Sequence, residues 1–235
     1  MTDYERVADA LGNTTWITWC TGTTLATLDD VLAPDSGDWN PPTAATFSEA
    51  DEAAHLDMQE GMSVLLAGAL GHGVVLLEPG LPFLGSGAQD RLSQAGACLD
   101  VGWSDFGPPF VTYREKGRVV VSFDGIVWED DATPDQETVE RWMSTTPGGL
   151  EGWQTNYGTA SLMTAEAIMG APMDEQWLAR EHTCITRRWG DPERRPRSVS
   201  LGELLKHVAA PLPGEARAES AGEAPNSPDS GHPPA

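Results

Sequence analysis

The sequence predicts an α+β domain: an antiparallel sheet of hairpins with about four to six strands, helices packed mainly on one face, and a disordered C-terminal tail. Three observations carry this. Apolar runs broken by glycine turns occupy residues 62–78 and 110–123, and stripes of helical period lie outside them at residues 4–11 and 160–169. Beyond residue 210 the chain is mostly Pro, Gly, Ala, Ser and Glu with one larger aliphatic residue, Leu212, too little apolar surface to offset ordering entropy.

The elements follow in order. Thr2-Asp3-Tyr4-Glu5 has capping-box spacing, Tyr4, Val7, Ala8 and Leu11 form a stripe, and Gly12 can close the helix. Trp16 to Cys20 is rich in β-formers, and Leu25, Leu28 and Leu32 mark a second helix after Thr24. Residues 33–48 gather Pro34, Gly37, Pro41 and Pro42 and read as a long surface loop. Met62 to Leu70 and Val74 to Leu77 flank Gly71-His72-Gly73 as a hairpin. Neither run alternates strictly, which predicts a sheet covered on both faces.

Further along, Gln89 to Gln94 is a short helix at most. Leu99, Val101 and Trp103 alternate with Asp100, Gly102 and Ser104, the pattern of a strand with one wet face. Phe110 to Arg114 and Val119 to Phe123 form a second hairpin. Thr133-Pro134-Asp135-Gln136 opens a helix bearing Val139, Trp142 and Met143, and further helices are predicted at Ala160 to Met169, Asp174 to Glu181 and Ser200 to Val208. Residues 1–210 are thus expected to form a single acidic domain, with a basic segment at 187–197 and the tail at 211–235.

The net charge of −22 is unevenly spread: residues 1–179 hold 28 acidic and 6 basic side chains, whereas residues 180–235 hold 8 of each. Such a domain repels nucleic acid and anionic membrane and attracts basic surfaces. No run of eighteen apolar residues is present, and Met1-Thr2-Asp3-Tyr4-Glu5 is acidic where a secretory leader is basic, so the cytoplasm is the expected location. Cys20, Cys98 and Cys184 are far apart without a C-x-x-C spacing, so they are expected to be buried thiols rather than a disulfide framework or zinc knuckle.

Several constellations bear on chemistry. Glu78 ends an apolar strand and a glycine-rich loop containing Gly85 and Gly87 follows, which could cradle an anion on free N–H groups. No Lys or Ser/Thr follows at P-loop spacing, and a tight turn is the favoured reading. Asp124, Glu129 and Asp130 surround Trp128 and offer hard oxygen ligands, but EF-hand spacing is absent, so no metal is assigned. His182 and Cys184 could face one way on a strand, yet two ligands do not make a zinc site. Trp128 beside acids, with Trp153 and Tyr157 in a glycine-rich stretch, suits an aromatic hot spot for a basic partner. The arginines of 187–197 are expected to fold back on the acidic body.

The order of several short motifs carries a resemblance. They are the Tyr4 to Leu11 opening, the strand ending at Cys20 with Gly22, Leu77-Glu78-Pro79-Gly80 with Phe83-Leu84-Gly85, Leu92-Ser93, Phe123-Asp124, and Ala160 to Gly170. Over residues 1 to 188, with gaps, the chain resembles an uncharacterised actinobacterial domain-of-unknown-function family of short acidic cytoplasmic proteins. Membership would imply a compact α+β domain and no particular activity.

The expected function is a non-catalytic acidic interaction or regulatory module that binds a basic protein such as a nuclease toxin, without cofactor, nucleic acid or membrane. The alternative is a small-molecule- or metal-binding enzyme using the Glu78 to Gly87 loop and nearby acids. Candidate site residues are Glu78, Gly85, Gly87, Asp124, Trp128, Glu129, Asp130, Trp153 and Tyr157.

Overall fold

Among the described residues, eight strands form one sheet in which every neighbouring pair is antiparallel. The computed structural model describes residues 3–12, 14–32, 40–57, 62–80, 82, 84–104, 107–124 and 136–188, all within one compact unit, Met1–Pro192. The strands are β1 (Thr15–Thr21), β2 (Thr43–Ala45), β3 (Met62–Leu70), β4 (Gly73–Pro79), β5 (Ala97–Ser104), β6 (Gly107–Glu115), β7 (Arg118–Asp124) and β8 (His182–Arg188). Their order across the sheet is β2-β8-β3-β4-β1-β5-β6-β7. The α+β class and the two hairpins match the sequence reading, while eight strands exceed the expected four to six.

The helices are α1 (Tyr4–Leu11), α2 (Leu25–Leu32), α3 (Phe47–Asp57), α4 (Ser86–Leu92), α5 (Gln136–Thr145), α6 (Gly149–Thr155), α7 (Tyr157–Met169) and α8 (Glu175–Ala179). Strand period two sorts the core into two layers. Ile17, Trp19, Val75, Leu77, Leu99 and Val101 point to a major face covered by α1, α3 and α5 to α8. Cys20, Leu65, Leu76 and Cys98 point to a minor face covered by α2 and α4. Helices thus lie mainly on one face, and the central strands are covered on both.

Local chemistry explains the ends of the elements. Asp3, rather than the Thr2 suggested by the sequence, caps α1 by accepting the Arg6 N–H at 3.2 Å. Asn156 and Asp174 do the same for α7 and α8, accepting from Thr159 and Trp177. In the β6–β7 turn, Lys116 and Gly117 have φ of 50° and 73°, the two left-handed positions of a type I′ hairpin.

Four expectations need correction. The segment 33–48 was expected to be loop throughout, yet β2 pairs with β8 inside it and α3 begins at Phe47. A capping box marks that start: Glu49 accepts the Thr46 N–H at 2.8 Å while Thr46 Oγ1 accepts the Glu49 N–H at 3.3 Å. The supposed wet face of β5 is dry at Asp100, only 3% exposed beneath α4, and at Gly102. The stretch holding Trp153 is helix α6, and α7 begins at Tyr157, three residues before the expected start. The Ser200 to Val208 helix, the 211–235 tail and most of the basic segment lie outside the described residues.

Candidate functional site

Register on the minor face places the sequence candidates. One cross-strand row runs Glu78, Trp16, Gly102, Phe110, Asp124 through β4, β1, β5, β6 and β7. The two candidate acids share a row yet stand four interstrand spacings apart, about 19 Å at ~4.8 Å each. One small ligand cannot bridge them. Trp128, Glu129 and Asp130 lie outside the described residues. Among the described residues no group of three or more His, Cys, Asp or Glu is arranged to hold a metal.

The glycine-rich loop is closed by its own acid. Glu78 is 2% exposed, and its Oε2 accepts the Leu84 N–H at 3.1 Å. The carboxylate therefore occupies the anion position that a phosphate would require at that amide. Gly85 is the extended N-cap of α4, its carbonyl accepting the Ala88 and Gln89 N–H groups, and Gly85 and Gly87 face solvent. The loop's product is the placement of Gln89, which α4 turns inward to the sheet.

There Gln89 joins a buried polar group that sequence reading missed. Asp100 Oδ2 accepts the Gln89 side-chain N–H at 2.5 Å, and Asp100 Oδ1 accepts the Thr18 hydroxyl at 2.7 Å. Arg114, 5% exposed on the neighbouring strand, donates through Nε to Asp90 Oδ1 at 3.1 Å and has an Nη1 with no hydrogen-bond partner. Burial pushes the Asp100 carboxyl up to about 6, against the pull of the Thr18 hydrogen bond, the Arg114 charge and the Gln89 amide. A carboxyl this enclosed meets no substrate, and the group fastens α4 to β1, β5 and β6. Its sequence signal was Asp100 within an otherwise apolar strand.

The two described aromatic candidates, Trp153 and Tyr157, pack in or against the core. Trp153 is 2% exposed and donates from Nε1 to Thr146 Oγ1 at 2.7 Å, which corrects the expectation of a surface hot spot. It packs in a cluster with Trp142, tilted at 5.5 Å between ring centroids, and Phe123, edge-on at 5.8 Å, because β7 and α5 converge on α6 there. Tyr157 is half-buried against the same core. His182 and Cys184 do sit on one strand, β8. His182 stacks on Trp177 at 4.0 Å and bonds the Trp177 carbonyl through Nε2 at 2.7 Å, and burial lowers its pKa, so the ring is a packing element.

Two clefts remain. One, of about 590 Å³, is lined by Leu25 of α2, Ala44 of β2, Ala67 and Ala69 of β3 and Thr183 of β8. The other, of about 380 Å³, lies among α1, α3 and α8, with Ala10, Phe47 and Leu178 forming its apolar floor and Asp51 and Glu175 its rim. Glu5 and Asp9 of α1 and Glu49 and Glu52 of α3 are further exposed acids on two of the helices that line this cleft, and Arg6 is engaged with Asp3 at 3.3 Å. Apolar floor and anionic rim together suit an aliphatic stem carrying a cationic head, the chemistry of Lys and Arg. No described helix is long and apolar enough to cross a membrane. Comparison of the chain with protein-family models, curated proteins and solved structures returned no match.

Proposed function

We propose that the chain is a cytoplasmic, non-catalytic acidic module that binds a basic protein, and that the cleft among α1, α3 and α8 receives a Lys or Arg side chain of that partner. The observation carrying this reading is the pairing of an apolar floor, Phe47 and Leu178, with the Asp51 and Glu175 rim, set in a chain of net charge −22. The overall field would speed encounter with a cationic surface, and the cleft would supply a specific anchor. A basic toxin is one partner class that such a surface fits.

The test separates the cleft from the general field. A fluorescent Lys/Leu peptide is titrated against wild type, an Asp51→Asn/Glu175→Gln variant and a charge-matched Asp30→Asn/Glu151→Gln control. The cleft variant is expected to lose several-fold in affinity while the control stays near wild type. Equal losses in both variants would reduce the interaction to diffuse charge.

A further inference from the structure

Cys20 and Cys98 are 78 positions apart in sequence and direct partners in the β1–β5 pair. Both are fully buried on the minor face, under Leu28, Leu32, Ala88 and Leu92 of α2 and α4, with their sulfurs 3.3 Å apart. Facing residues of an antiparallel pair have Cα atoms about 4.5–5.5 Å apart, inside the range of about 4.4–6.8 Å that a disulfide accepts. Only side-chain rotation is then needed to bring the sulfurs to bonding distance. Cys184 packs in the opposite core layer, with the sheet between it and this pair.

We propose that Cys20 and Cys98 are a modification site: a dithiol that the sheet holds ready to close into a cross-strand disulfide. The oxidant class is a low-molecular-weight disulfide. One cysteine, as thiolate, attacks an oxidant sulfur, forming a mixed disulfide and releasing one thiolate. The second cysteine attacks the protein sulfur of that adduct, forming the Cys20–Cys98 bond and releasing the second thiolate. Two cysteine thiols and one oxidant disulfide give one protein disulfide and two small thiols, with two electrons passing to the oxidant and the two cysteine protons to the released thiolates. Burial and the adjacent Cys98 thiol hold Cys20 well above the ordinary thiol range, so closure in the folded chain is slow and waits on local opening.

The test uses the full chain and oxidised glutathione. One sample is oxidised folded and a second while refolding from denaturant, where access is unrestricted. Both are acid-quenched, denatured, alkylated and weighed. The expected product carries one alkyl group, on Cys184, and is otherwise about 2 Da lighter than the reduced chain, the two thiol hydrogens having been lost. Its Cys20 and Cys98 peptides are joined, its melting midpoint is raised, and dithiothreitol reverses both changes. Closure in the refolding sample alone supports the site and places its formation at folding. Three alkyl groups in both samples, or a bond that includes Cys184, would overturn the proposal.

Discussion

Thr18 and Asp100 face each other across the β1–β5 pair and share a 2.7 Å hydrogen bond in a layer that excludes water. The bond lowers the carboxyl pKa, and desolvation outweighs it, leaving Asp100 at about 6 against 3.8 for the exposed group. Below 3.8 the carboxyl is neutral whether folded or unfolded, and its contribution is fully present. As pH rises through 6 the folded state must ionise a buried group, and stability is lost by on the order of 3 kcal/mol. Asp100→Asn removes this dependence. Urea denaturation at about pH 4 and about pH 7 is expected to show the variant gaining on wild type by roughly 2–3 kcal/mol at the higher pH. A constant difference would mean that the folded carboxyl is hydrated.

The opposite sign holds at the start of α3. Hydrogen bonds from Thr46 pull the Glu49 carboxyl below 4.5, so its contribution is present above that value and fades as pH falls through the folded one. Thr46→Ala should cost about 1 kcal/mol, in the range for a lost N-cap. Glu49→Gln should flatten the acid limb of the stability profile. Melting curves from neutral to acid pH would read both effects.

Glu78→Ala is expected to destabilise by about 2–3 kcal/mol, because the Leu84 N–H loses its buried acceptor and a cavity opens under the loop. Glu78→Gln keeps an acceptor and should cost clearly less. With the wild-type carboxylate already at that amide, inorganic phosphate should leave the melting temperature unchanged. Thermal shift measurements on the three proteins would check these outcomes, and phosphate protection of wild type would reopen the loop as an anion site.

Gly102 lies beneath the Trp16 ring, where an added Cβ would come within 2.0 Å of Cε3. Gly102→Ala must displace the indole or bend β5, at about 1–3 kcal/mol for overpacking. A lower urea midpoint with altered Trp emission is the expected result. A variant as stable as wild type would show that Trp16 is free to move.

Residues in helical or strand period were legible because their signal is local. Val7 and Leu11, the Gly71-His72 turn, the hairpin of Phe110 to Arg114 with Val119 to Phe123, and the Ala160 to Met169 stripe all lie where the pattern put them. The Thr46–Glu49 box also has a local spacing, but it was not read, because the prolines and glycine of 33–48 marked that segment as loop. β2, with three residues, and β8, with polar residues among its β-formers, are strands because a neighbour offers backbone partners, which no window along the chain contains.

By itself the sequence determined the α+β class, the hairpins, the starts of α1, α2 and α8 and the acidic field, since propensity, capping and charge act over a few residues or depend on composition alone. Only the tertiary structure decided that Asp100 is dry, that Trp153 is core, that Asp51 and Glu175 rim one cleft and that Cys20 touches Cys98. Burial and cross-strand register depend on which distant segments pack together, and that is settled by the summed burial of both faces of the sheet.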